Sequence, residues 1–196
     1  YRFMELLHTN NSTVTRWSER TKPNEPAQDR EGLAWEYVIE FANETRSNIW
    51  INIPHQADDD YILNLAKLLK AGLKYNQAVY LEYSNEVWNG GMFVQGGWNT
   101  ARAIEEIQAG IQTGTPSELD CFMTASGTCK SQYWTSDQVV NGVTVTAADH
   151  NKPYISYWTR FRVARQSRHI AKLFASVFGD AALNQQVRVL LPGWGA

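Results

Sequence analysis

The stretch "VYLEYSNEVWNG", Val79 to Gly90, is the most informative part of the sequence, because a strand pattern there runs directly into candidate catalytic residues. Its first half alternates apolar and polar residues, which is typical of a β-strand. The alternation stops at Ser84, and a carboxylate, Glu86, follows directly after an amide, Asn85. In parallel α/β folds, residues just beyond the carboxyl ends of the strands line the functional site. The stretch therefore predicts a strand that ends in a candidate site.

Helix-like and strand-like segments alternate along the chain on both sides of this stretch. The segments "LAWEYVIEFANET" and "YILNLAKLLKAGL" repeat apolar residues at helical spacing, and the β-branched run "IWINIPH" lies between them. The segment "YRFMELL", Tyr1 to Leu7, predicts a first buried strand, and "QQVRVLLPGWGA" predicts a last strand after a long helix. This alternation predicts parallel strands joined by right-handed helical crossovers.

Two architectures fit this order of elements: a doubly wound sheet and part of a (β/α)8 barrel. No glycine-rich phosphate loop follows any strand, which disfavours the nucleotide-binding version, and no cofactor is predicted. We expect one α/β domain over residues 1–196, with a long loop insertion at about residues 90–153.

The composition is that of a globular protein, with 43% hydrophobic and 19% charged residues. A formal net charge of -2 gives no reason to expect nucleic acid as a partner. No apolar run approaches the roughly 18 residues that span a bilayer, so no membrane partner is expected. Eight Trp and nine Tyr suit the flat faces of pyranose rings, and they equally suit packing in a core.

Two cysteines and three sequons bear on the compartment. Cys121 and Cys129 lie in the loop-like stretch "CFMTASGTC" and are predicted to form a disulfide if the compartment is oxidising. Asn10, Asn11 and Asn43 each begin an Asn-x-Ser/Thr triplet, a candidate glycosylation site. Together these features favour a secreted protein.

Polar and aromatic residues stand at all four predicted strand ends. The ends carry His8, His55, the Asn85–Glu86 pair and Trp194. Because the carboxyl ends of parallel strands meet on one face, we expect these side chains to share a region. A plain alternative is that Glu86 is a strand-end surface charge and that His8 and His55 are turn residues bonded to backbone.

The segment "EYSNEVWN" resembles the fourth-strand motif of the large clan of retaining (β/α)8 glycoside hydrolases, which includes many cellulases, mannanases and xylanases. The resemblance implies that Glu86 is the general acid/base and that Asn85 bonds the sugar 2-hydroxyl. It also matches His55 to a histidine near the end of strand three. Trp88 adjoins the motif and is expected to stack on a sugar. By this resemblance the chain corresponds to about strands two to five of the barrel.

Retaining enzymes need a second carboxylate about 5 to 5.5 Å from the acid. Glu82 shares a strand face with Glu86, but four residues at about 3.3 Å each place it roughly 13 Å away. We expect Glu82 to be a barrel-interior charge paired with Arg2 or Arg188. The nucleophile is expected outside this segment, with the rest of the barrel supplied by the same longer chain.

The resulting hypothesis is a retaining glycoside hydrolase that acts on a β-linked polysaccharide. The alternative is a non-catalytic carbohydrate-binding or structural protein on the same barrel. The run Asp58 to Asp60 is expected to cap the next helix. A less favoured possibility is that this run and His55 hold a metal ion.

Overall fold

The computed structural model describes residues 1–89, 92–113, 117–120, 122–123, 129–130, 138–140, 143–145 and 155–192. The chain forms two compact units, Tyr1–Gln95 with Val163–Ala196 and Gly96–Arg162. The helices are α1 (Trp35–Thr45), α2 (Asp59–Gly72), α3 (Val94–Thr113) and α4 (Ile155–Phe178). The strands are β1 (Ile49–Ile53), β2 (Val79–Tyr83), β3 (Phe122–Met123), β4 (Cys129–Lys130), β5 (Gln138–Val140), β6 (Val143–Val145) and β7 (Val187–Leu190).

The first unit contains a parallel sheet in the order β1-β2-β7. Ile51 pairs with Leu81, and Leu81 pairs with Val189 in the same register. An isolated parallel bridge joins Arg2 to Trp50 on the other side of β1. The predicted α/β class with parallel strands and intervening helices is therefore confirmed.

One face of this sheet forms the core. Ile51 and Leu81 are buried there with Leu65 of α2 and Phe174 of α4. Burying each such side chain contributes about 1.5–3 kcal/mol. Because side chains alternate along a strand, the opposite face carries the residues in between, among them Glu82.

The aspartate run after β1 has the capping role expected of it. The Asp58 side chain accepts a hydrogen bond from the Tyr61 backbone N–H at 2.8 Å and so caps α2. Asp59 lies 2.7 Å from Nε2 of His169 on α4. The helix-cap prediction is confirmed, and the run also links two neighbouring helices.

The predicted strand from Tyr1 to Leu7 is wrong beyond its first residues. After the bridge at Arg2 the chain enters a turn, and the Leu33 N–H donates to the Leu6 carbonyl at 2.7 Å. Gly32, at φ 87°, packs so closely that a Cβ there would lie 2.5 Å from the Leu7 carbonyl carbon. This loop contact replaces the strand pairing that the apolar run suggested.

The second unit covers most of the predicted insertion. Its described parts include most of α3 and two antiparallel pairs, β3 with β4 and β5 with β6. Ile107, Leu119 and Trp158 form a small buried cluster. Cys121 lies outside the described residues, so the predicted disulfide with Cys129 stays a prediction. Within the described ranges, no helix is both long and apolar enough to cross a membrane.

Candidate functional site

The backbone turns sharply at the carboxyl end of β2. Ser84 and Glu86 have positive φ angles of 59° and 42°, on either side of Asn85. A left-handed conformation costs a non-glycine residue about 1–2 kcal/mol. Such strain persists where the surroundings hold it in place, and it is concentrated at functional sites. We call residues Ser84–Glu86 the elbow.

Each backbone carbonyl of the elbow accepts a hydrogen bond. In chain order the donors are Asn52 Nδ2 at 2.6 Å, Gln95 Nε2 at 2.8 Å and the Asn89 backbone N–H at 2.8 Å. These donors come from β1, from the start of α3 and from the loop after β2. The strained conformation is therefore held from three separate segments.

The Asn85 side chain belongs to a buried polar network. The residue is 2% exposed. Its Oδ1 accepts from Arg2 Nη2 at 2.8 Å, and its Nδ2 donates to Asn10 Oδ1 at 3.0 Å. Gln95 Nε2 donates to the same Asn10 oxygen at 2.7 Å. The orientation of the Asn85 amide is thus fixed by a cation on one side and an acceptor on the other.

Glu82 is the charged centre of the second sheet face. Its Oε2 accepts three hydrogen bonds, from Arg2 at 2.9 Å, Trp50 Nε1 at 2.9 Å and Asn52 Nδ2 at 2.8 Å. The Arg2 guanidinium also lies 4.6 Å from the centre of the Trp50 ring. Of the two partners predicted for Glu82, Arg2 is observed, while Arg188 bonds to a tyrosine hydroxyl.

A groove of about 370 Å³ opens beside the elbow in the first unit. Its described lining residues are Arg2, Trp50, Glu82, Asn85, Glu86, Trp88, Leu190, Leu191 and Pro192. Small-molecule sites commonly occupy about 300–1,000 Å³. Trp88 is 39% exposed and presents an aromatic surface at this groove.

Glu86 differs from Glu82 in how firmly its carboxylate is held. Among the described residues, its one side-chain hydrogen bond comes from Asn89 Nδ2 to Oε2, at a long 3.4 Å. Glu86 is half-buried, whereas Glu82 is buried. The Glu86 carboxyl is therefore accessible to a molecule in the groove.

The two predicted histidines do not join this group. His55 is buried, its carbonyl accepts from the Tyr83 hydroxyl at 2.9 Å, and its Nε2 lies 3.3 Å from Gln56 Nε2. His8 is exposed in a turn, at φ 45°. Neither is among the described residues that line the groove. Trp194 lies outside the described residues, so its predicted sugar contact stays a prediction.

Two residues of the site were missed by sequence reasoning. Asn52 is a polar residue inside the apolar strand β1, which is a readable signal for a buried hydrogen-bonding role. Gln95 gives no such signal, because it stands in an ordinary helical stretch.

The three sequon asparagines all have side-chain roles within the fold. Asn43 Nδ2 donates to the Gly72 carbonyl at 2.9 Å. Asn11 Oδ1 accepts from the Val94 N–H at 2.9 Å, and Asn10 belongs to the network around Asn85. Glycosylation at these positions stays a prediction.

No observation in the described parts of the chain supports a metal site formed by His55 and the aspartate run. No group of three or more His, Cys, Asp or Glu side chains there is arranged to hold a metal ion. The aspartates expected near His55 instead serve as the cap of α2 and as the link to α4.

Comparison of the chain with models of protein families, with curated proteins and with solved structures found no match. The sheet order, the elbow and the groove are therefore the observations on which a function has to rest. The class they favour is an α/β protein with a site at the carboxyl end of its strands.

Proposed function

We propose that this chain is part of a secreted, retaining glycoside hydrolase, built on a (β/α)8 barrel and acting on a β-linked polysaccharide. Glu86 is its general acid/base. The observation that carries the proposal is that Glu86 and the exposed Trp88 line one groove at the carboxyl end of a parallel strand.

The strand order favours a barrel over a doubly wound sheet. From the Arg2 bridge through β1, β2 and β7, spatial order follows chain order. Residues of α1, α2 and α4 pack into the core formed on one sheet face. A doubly wound sheet reverses strand order at a switch point and carries helices on both faces. The described strands have no such reversal, as expected for consecutive strands of a barrel wall.

The two glutamates of the groove suit different roles. A general acid must reach the leaving oxygen and change its protonation during the reaction. Glu86 has one long hydrogen bond and is open to the groove, which suits that task. Glu82 accepts three donors on one oxygen, which suits a structural carboxylate that holds neighbouring side chains in place.

The mechanism requires a nucleophilic carboxylate on the other side of the scissile bond, about 5–5.5 Å from the acid. We assign that carboxylate and the remaining barrel strands to a part of the same longer chain outside residues 1–196. Asn85 is the nearest polar neighbour of Glu86 in the chain, and its proposed role is to bond the sugar 2-hydroxyl.

The test compares Glu86→Gln with Glu105→Gln in the full-length protein, by release of reducing sugar from a panel of β-linked polysaccharides. Glu105 is an exposed carboxylate on α3 paired with Arg102, and it is a matched control. We expect Glu86→Gln to lose about 10²–10⁴ in turnover, because it cannot donate the proton. The control should keep the wild-type rate. Wild-type turnover in Glu86→Gln would reject the assignment.

A non-catalytic carbohydrate-binding protein is the second candidate, and the exposed Trp88 favours it independently of Glu86. Binding to the same polysaccharides, measured by co-sedimentation, should fall in Trp88→Ala under either function. Binding by the wild type without any hydrolysis would favour this second candidate.

A further inference from the structure

We propose that Gln95 is a positioning residue for Glu86, which acts by holding the carbonyl of Asn85. The inference rests on the proposed function, because it assigns Gln95 a part in the same reaction. Gln95 is fully buried at 0% exposure, and it is not among the described residues that line the groove. Its influence on a substrate must therefore pass through the elbow.

Gln95 ties three segments of the first unit together. Its Nε2 donates to the Asn85 carbonyl at 2.8 Å and to Asn10 Oδ1 at 2.7 Å. Its Oε1 accepts from the Asn11 N–H at 3.0 Å. The bond to the Asn85 carbonyl is buried and the other two are partly buried, so removing the Gln95 amide leaves polar groups there without a protein partner.

The bond to the Asn85 carbonyl controls one specific rotation. That carbonyl belongs to the peptide plane between Asn85 and Glu86, and turning the plane changes ψ of Asn85 and φ of Glu86 together. Glu86 has φ 42°, a left-handed conformation that is unfavourable for a residue other than glycine. With the Gln95 bond removed, we expect the plane to rotate and the Glu86 side chain to leave its direction into the groove.

The chain offers a chemical match for Gln95 at the other end of β2. Gln77 is also buried, and its Nε2 donates to the Ala42 carbonyl and to Asn43 Oδ1, both at 3.1 Å. Its Oε1 accepts from the Tyr75 N–H at 2.9 Å. Both glutamines bind one backbone carbonyl, one asparagine oxygen and one backbone N–H, but Gln77 does not line the groove or contact the elbow through these bonds.

The experiment compares Gln95→Met with Gln77→Met in the full-length protein. Methionine keeps the length of the side chain and removes the hydrogen bonds. We expect both variants to lose similar stability, and only Gln95→Met to lower kcat on an aryl β-glycoside with a poor leaving group, by about 10–100-fold. KM should change less than kcat, because no residue of the groove lining is itself replaced. An equal effect of both variants on kcat would overturn the proposal.

A second readout does not depend on activity. The chemical shift of the ¹³C carboxyl resonance of Glu86, assigned by its loss in Glu86→Gln, is compared at one pH in the wild type and the two variants. We expect it to move in Gln95→Met and to stay unchanged in Gln77→Met. An unmoved Glu86 resonance in folded Gln95→Met would overturn the positioning role.

The two proposals can fail separately. If Glu86→Gln keeps full turnover, the acid/base assignment fails, while the carboxyl chemical shift still decides whether Gln95 positions Glu86. If Gln95→Met does not fold, Gln95→Ala replaces it, because that variant also lacks the donor to the Asn85 carbonyl and leaves room for water at the Asn11 N–H. The same change of the Glu86 resonance is expected, and its absence would count against the proposal.

Discussion

The two ends of β2 use the same kind of glutamine clamp, yet they differ in strain and charge. At the amino end, Gln77 and Asn43 form a network of neutral amides, and the nearby left-handed residue is Asn76, at φ 55°. Asparagine tolerates this conformation better than most residues. At the carboxyl end the elbow places a serine and a glutamate in the same conformation. Of the residues that directly flank β2 in the chain, Ser84 and Glu86 therefore carry strain that an asparagine or a glycine would reduce.

Charge shows the same contrast. The carboxyl end contains the Arg2–Glu82 pair and the accessible Glu86. Among the described residues, no charged side chain forms a hydrogen bond with Gln77 at the amino end. A hydrogen-bond network alone therefore does not identify the functional end of a strand. A strained backbone that is held in place beside an accessible carboxylate does identify it.

The largest loss of stability is expected at the carboxyl end of β2, which carries the charged side chains. Glu82→Ala leaves the Arg2 guanidinium, the Trp50 N–H and the Asn52 amide without their shared acceptor. Removing one partner of a buried pair costs about 3–5 kcal/mol, and we expect the lower end because the Arg2 side chain is 38% exposed. Urea unfolding measures the loss. Asn43→Ala at the amino end should lower the free energy of unfolding by less, about 1–2 kcal/mol. A larger loss in Asn43→Ala than in Glu82→Ala would contradict the expected difference between the two ends.

A gain of stability is expected where the strain lies. Ser84→Gly removes the left-handed penalty and a buried hydroxyl that has no hydrogen-bond partner in the described part of the chain. After the entropic cost of glycine, we expect a net gain of about 1 kcal/mol. Asn76→Gly should change stability by only a few tenths of a kcal/mol, because asparagine is suited to its φ. Equal changes in thermal unfolding would show that the two ends are equally strained.

The smallest effect concerns the loop that precedes α1 in the chain. Backbone N–H groups of Arg16 and Thr15 donate to the Glu19 carboxylate and hold its pKa below the usual 4.5. A carboxylate with a lowered folded pKa stabilises the protein above its unfolded pKa, and the effect is lost as pH falls through the folded value. Wild type and Glu19→Gln should therefore differ in Tm at neutral pH and converge as the pH falls through the lowered pKa of Glu19. A constant difference down to the most acid pH would contradict this cause.

Local patterns predicted much of the fold and only part of the site. Short-range signals were the reliable ones: the spacing of apolar residues predicted β1, β2, α1 and α2, and the aspartate run predicted the cap at Asp58. The structure confirms these elements and the cap. The sequence predicted that Glu82 pairs with Arg2 or Arg188, and the structure shows the pair with Arg2. The turn after Arg2 did not follow, because it depends on contact with Gly32 far along the chain.

The positions of the histidines and of Gln95 were not predictable in the same way. His8 was placed at a strand end that the structure replaces with a turn. Gln95 meets Asn10 and Asn85 only after three segments of the first unit come together. No local period encodes such a meeting, so the residues that hold Glu86 are visible only in the folded chain.

The most direct test of the central claim compares two aryl β-glycosides, one with a good and one with a poor leaving group, in wild type and Glu86→Gln. A poor leaving group needs the proton that Glu86 supplies, and a good one departs largely without it. We predict that kcat/KM of Glu86→Gln falls about 10²–10⁴-fold for the poor leaving group and far less for the good one. Equal losses for both substrates, or no loss for either, would contradict the assignment of Glu86 as the general acid.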